Sequence, residues 1–137
     1  MKKISLLLAA SFLMLLVSCT DENGSITPDT DVRDKFTGDW LCSEKIGAAS
    51  PTVFTINIAK YGSGDSLQIK NFSNYGDFTR TYAEVAVNSL TISSQYIVGA
   101  PQIHVSGSGI YSSAGGTDKI TMNYNTDGQA ATATCTH

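Results

Sequence analysis

A chain of 137 residues, 42% hydrophobic and 15% charged, is long enough for one modest domain with its own core and too short for several. Nine basic residues against twelve acidic ones give a formal net charge of −3 at pH 7. Lys45, Lys60, Lys70, Arg80 and Lys119 are scattered, with no basic stripe interleaved with aromatics, which argues against nucleic acid as a partner.

The chain opens Met1-Lys2-Lys3 and continues with an apolar run from Ile4 to Val17. A positive start and an apolar core too short to span a bilayer as a stable helix mark residues 1–18 as a secretory signal that is removed rather than folded. The run ends Leu16-Val17-Ser18-Cys19, which resembles the lipobox of bacterial lipoproteins and implies that Cys19 is lipidated and becomes the new N-terminus. Each buried acyl methylene contributes about 0.8 kcal/mol, and two or more chains hold a protein on a membrane stably. Removing Lys2 and Lys3 from the net charge of −3 leaves −5 for the mature chain.

Residues 19–35 are expected to form the lipidated cysteine and a flexible acidic tether, because so polar a stretch buries too little apolar surface to offset its ordering entropy. Asp21 and Glu22 resemble the acidic export signal of lipoproteins from some Gram-negative anaerobes. The expected location is the outer membrane, on the cell surface or the periplasmic face.

From Phe36 to His137 the pattern turns to period two. Trp40-Leu41-Cys42 and Val53 to Ile58 mix β-branched and aromatic residues with polar ones, as half-buried strands do. Gly62-Ser63-Gly64-Asp65 separates the second strand from Leu67 to Lys70, and Asn74-Tyr75-Gly76-Asp77 separates that one from Phe78 to Val87, so both read as hairpins. Further strands follow at Leu90-Thr91-Ile92 and Ile103-His104-Val105. Asp127-Gly128, between Ile120–Tyr124 and Ala131–Thr134, fits a two-residue type I′ turn. About eight short strands with short connections predict an all-β antiparallel up-and-down barrel, with a two-layer sandwich as the alternative.

With Cys19 assigned to lipid, Cys42 and Cys135 remain, one in the first strand and one in the last, in a compartment that permits disulfides. They are expected to pair and pin the seam of a closed meander. A zinc site is not expected, since His104 and His137 are the only histidines beside scattered carboxylates.

Phe36-Thr37-Gly38-Asp39-Trp40 resembles the Gly-x-Trp signature of lipocalins and related calycin barrels, in which the tryptophan closes one end of the barrel. Val105 to Tyr111, with the small lipid-anchored format, is similar to short lipocalin-like lipoproteins of Gram-negative anaerobes. The resemblance implies a lipocalin-like barrel over 36–137, with Gly38 and Trp40 closing it. It implies a small apolar or glycan ligand at the mouth. Large side chains such as Phe54, Ile56, Ile58, Leu67, Ile69, Ile92, Ile103, Val105, Ile120 and Met122 could instead fill the interior, as they do in small barrels.

No catalytic constellation stands out. His104 has no nucleophile or carboxylate at a diagnostic spacing, and the glycine clusters lack the strand-to-helix context of phosphate loops. No enzyme activity and no cofactor are expected. Tyr61 and Tyr75, in or beside turns, are candidate contacts for sugar or protein. Asp65-Ser66-Leu67 resembles a glycosylation acceptor of exported proteins. The expected function is a lipid-anchored, non-enzymatic binding module, the alternative being an envelope interaction protein or a protease or lysozyme inhibitor acting through its loops.

Overall fold

The computed structural model describes residues 30–137, so the leader, Cys19 and the tether up to residue 29 lie outside the described residues. Eight strands follow in order: β1 (Gly38–Ile46), β2 (Thr52–Lys60), β3 (Ser66–Lys70), β4 (Arg80–Ala86), β5 (Ser89–Ile97), β6 (Ala100–Ala114), β7 (Thr117–Thr126) and β8 (Gln129–Thr136). Each pairs antiparallel with its chain neighbour, and β1 also pairs with β8, closing a barrel. Closure leaves no exposed sheet edge, and it decides between the two architectures in favour of the barrel.

Alternation explains why these segments are strands. In β7, Ile120, Met122, Tyr124 and Thr126 point inward and the residues between them outward; β8 does the same with Ala131, Ala133 and Cys135. The turn joining them has φ of 49° at Asp127 and 82° at Gly128, as a type I′ turn requires. Cys42 and Cys135 face each other in the β1–β8 register and are disulfide-bonded.

An up-and-down meander puts alternate turns at opposite ends. The β2–β3, β4–β5 and β6–β7 turns lie with the start of β1 at one end, here the entry end, and the other four at the far end. Between them the interior holds Trp40, Ile56, Ile58, Leu67, Ile69, Leu90, Ile92, Ile120 and Met122, each no more than 2% exposed. Ile103, expected inside, is only partly buried.

Both ends carry a plug. At the entry end the 3-10 turn Asp34–Phe36 buries Phe36, and the Trp40 Nε1–H donates to the Phe36 carbonyl at 2.8 Å. The Trp40 ring meets Tyr111 edge-on at 6.4 Å and His137 at 5.1 Å. Gly38 sits at φ +125°, where a Cβ would come 2.7 Å from His137 Nε2, so the position beside Trp40 needs glycine.

Residues Asp31–Lys35, expected in the tether, pack on the barrel instead. Arg33 is buried because it is clamped: it donates to both Asp31 carboxylate oxygens and to the Gly62 carbonyl. The folded unit therefore starts upstream of Phe36.

The far-end plug also departs from expectation. Between β3 and β4 there is no tight hairpin but a segment from Asn71 to Thr79 containing the 3-10 turn Phe72–Asn74, with Phe72 buried against Tyr124 at 4.7 Å. Asn71, Ser73 and Asn74 hold φ of 54°, 53° and 60°, a region that costs a non-glycine residue energy. The Asn71 side chain stitches the segment down, donating to the Thr55 carbonyl at 2.8 Å and accepting from the Gly76 N–H at 2.7 Å.

Candidate functional site

With the interior packed and both ends plugged, the sites that can meet a ligand lie on the outer wall. One cleft, of about 140 Å³, opens over β3, β4 and β5 and is lined by Tyr61, Ser66, Tyr82, Ala83, Glu84, Thr91, Ser93 and Gln95. Strand register builds it. Glu84 is paired with Ser66 on one side and Thr91 on the other, so a hydroxyl, a carboxylate and a hydroxyl form one row across three strands. Tyr61, just past the end of β2, leans on Tyr82 with ring centroids 4.7 Å apart and planes at 50°.

The floor of the cleft is a gap in the sheet. β4 and β5 pair over Glu84–Ala86 and Ser89–Thr91 and again at the Arg80–Val98 bridge. Between these, β5 bulges, with a register shift from Ile92 to Gln95, and the Gln95 carboxamide fills the gap. Its Oε1 accepts from the Tyr82 N–H at 3.0 Å and its Nε2–H donates to the Tyr82 carbonyl at 2.7 Å. A side chain thus supplies both ladder bonds that a straight strand would have made.

A second feature lies inside the far end. Glu44 points inward from β1, is 4% exposed, and its Oε1 has no hydrogen-bond partner. Burial pushes its carboxyl above the ordinary range, and Ser73 beside it, outside good hydrogen-bond geometry, offsets only part of that. At the entry end the opposite holds: the Arg33 guanidinium, aided by Lys60, keeps the Asp31 carboxyl well below the usual carboxylate range.

Comparison with family models, with curated proteins and with solved structures finds no match for this chain.

The structure separates the two tyrosines singled out in the sequence. Tyr61 is 51% exposed on the entry end. Tyr75 belongs to the far-end plug, where its hydroxyl lies 3.4 Å from Thr126 Oγ1 and its ring packs on the core; the two cannot share one surface. Tyr61 instead finds Tyr82. Ser66, in the glycosylation-like tripeptide, lines the same cleft. His104 is hydrogen-bonded to Ser94 Oγ at 2.9 Å and meets the Tyr96 ring edge-on. Sequence reasoning missed Tyr82, Glu84 and Gln95. The outward-facing positions of Phe78–Val87 were legible from the alternation, but the bulge that brings Gln95 under Tyr82 left no periodic signal.

Proposed function

We propose that this chain is a lipid-anchored envelope lipoprotein, similar in build to a small lipocalin-like barrel, whose domain binds glycan without catalysis. The ligand seat is the outer cleft rather than the barrel mouth. The observation that carries this is the Tyr61–Tyr82 pair standing over the Ser66–Glu84–Thr91 row. Aromatic faces take the C–H faces of a sugar ring, and a row of oxygen groups beside them takes its hydroxyls. At about 140 Å³ the cleft is smaller than the roughly 300–1,000 Å³ of sites for drug-sized ligands, which suits one ring at the end of a chain.

The test is a panel of neutral oligosaccharides against the full chain in detergent, unmodified at Ser66, since a glycan attached there would fill the cleft. Binding that falls about tenfold in Tyr61→Ala, as loss of an aromatic contact predicts, supports the proposal; a silent panel overturns it. The anchor is tested separately. Cys19→Ala should release the protein from the membrane fraction, and unchanged partition would overturn lipidation.

A second reading, docking of a protein partner through the loops, draws on a different surface. Phe78, Tyr96 and Val98 are 72%, 61% and 53% exposed near the β5–β6 turn at the far end, with Phe78 lying over Gly99. Capture of an envelope protein that is lost in Phe78→Ser but kept in Tyr61→Ala would favour it.

A further inference from the structure

We infer that the cleft selects a protonated amino sugar over its neutral and anionic counterparts, an inference that rests on the glycan proposal above. The polar atoms lining it are unequal in kind. Its one side-chain amide, Gln95, is spent: Nε2 donates to the carbonyls of Tyr82 and Ser93, and Oε1 accepts from the Tyr82 N–H. What remains are the hydroxyls of Ser66, Thr91, Ser93 and the two tyrosines, and the carboxylate of Glu84. No side-chain nitrogen is left to receive a ligand anion.

Arg80, two residues from Tyr82 on the same face of β4, donates to the Asp77 and Thr79 carbonyls, and on the Tyr61 side the positive charge is ion-paired. Lys60, the chain neighbour of Tyr61, is ion-paired with Asp31 and Asp34, and Arg33 is bound to Asp31. Among the described residues Glu84 makes no ion pair, so the cleft carries one uncompensated negative charge beside two electron-rich rings. An ammonium group satisfies both, through charge-assisted hydrogen bonding to Glu84 and attraction to the tyrosine faces. A carboxylated, sulfated or phosphorylated sugar would meet repulsion from Glu84 with only neutral hydroxyl donors, and no cationic one, in return. An exposed ion pair and an exposed cation–π contact are individually weak, and together they give about a three- to tenfold preference.

The experiment is calorimetric titration of the full chain in detergent with glucosamine, N-acetylglucosamine and glucose oligomers of equal length, at about pH 6, where an amine is protonated. The glucosamine oligomer should bind about three- to tenfold tighter than the others. That margin should vanish in Glu84→Gln, an exposed position, and shrink in high salt. Equal affinities for the three, or a preference that survives Glu84→Gln, overturns the inference and leaves the glycan proposal standing. Glucosamine binding undiminished by Tyr61→Ala also overturns it, since the amine would then be held elsewhere on an acidic surface. Failure of all three oligomers to bind a folded barrel overturns both.

Discussion

The Gln95 carboxamide does for Tyr82 what a neighbouring strand does for the rest of β4: it takes the N–H and gives a donor to the carbonyl, at 3.0 and 2.7 Å. The sheet stays closed although β5 bulges away, and the Tyr82 ring is held under Tyr61. Gln95→Leu should strip both bonds and cost about 1 kcal/mol, the low end for lost hydrogen bonds because the site is only partly buried. Chemical denaturation should read that loss, and amide exchange at Tyr82 should accelerate. Gln95→Glu, which keeps the acceptor and drops the donor, should fall between; a Gln95→Leu protein with wild-type protection at Tyr82 would refute the bridging role.

Glu44 makes the barrel less stable as pH rises. Its folded-state carboxyl is raised above the ordinary value of 4.5 by burial, so the folded form holds its proton more tightly than the unfolded chain does. The stability linked to that proton is fully present below about pH 4.5 and is lost as pH climbs toward the folded-state value, beyond which the curve is flat. Glu44→Met removes the buried acceptor and should raise stability at pH 7 by about 1–3 kcal/mol. Denaturation midpoints of both proteins across pH should converge at the acid end; a constant difference at every pH would show that Glu44 does not titrate as its burial requires.

The Cys42–Cys135 bond spans a sequence separation of 93. In the chain-entropy account a loop of that length is worth roughly 4 to 5 kcal/mol. The paired variant Cys42→Ala/Cys135→Ala should lose stability on that scale, and the oxidised protein should show no reactive thiol at either position under nonreducing denaturing conditions. Two titratable thiols there would contradict the bond.

Two glycines form a matched contrast. A Cβ at Gly107 on β6 would fall 2.3 Å from Tyr124 Cβ and 2.5 Å from its Cα, whereas one at Gly64 in the β2–β3 turn would meet nothing within 4 Å. Overpacking against backbone predicts a cost of at least about 1–3 kcal/mol for Gly107→Ala, and a change within about 0.5 kcal/mol for Gly64→Ala. Thermal unfolding of the two variants checks both, and equal midpoints would mean that β6 and β7 can separate without penalty.

Much of the barrel was legible residue by residue. Alternation in Ile120–Tyr124 and Ala131–Thr134 located β7 and β8, Asp127-Gly128 named their turn, and the cysteines at the two ends of the meander marked its seam. These are local signals: a period-two pattern has one buried face, and a turn that needs two positive φ values admits few residues. Asn74-Tyr75-Gly76-Asp77 also looked like a hairpin turn, and there locality failed. Phe72 turns inward because Tyr124, some fifty positions away, offers it a face, and Arg33 leaves the tether because Gly62 and Asp31 satisfy its guanidinium.

By itself, then, the sequence determined the strands, their up-and-down order and the disulfide partners, because each follows from side-chain period, turn stereochemistry or cysteine count along a short stretch. Only the tertiary structure decided that the ends are plugged, that Tyr61 and Tyr75 lie apart, and that Tyr61, Tyr82, Glu84 and Gln95 share one cleft. Those depend on register between strands and on a bulge in β5, and a one-residue shift in register sends a side chain to the other face of the sheet. Register is a property of the closed barrel, and no single strand carries it.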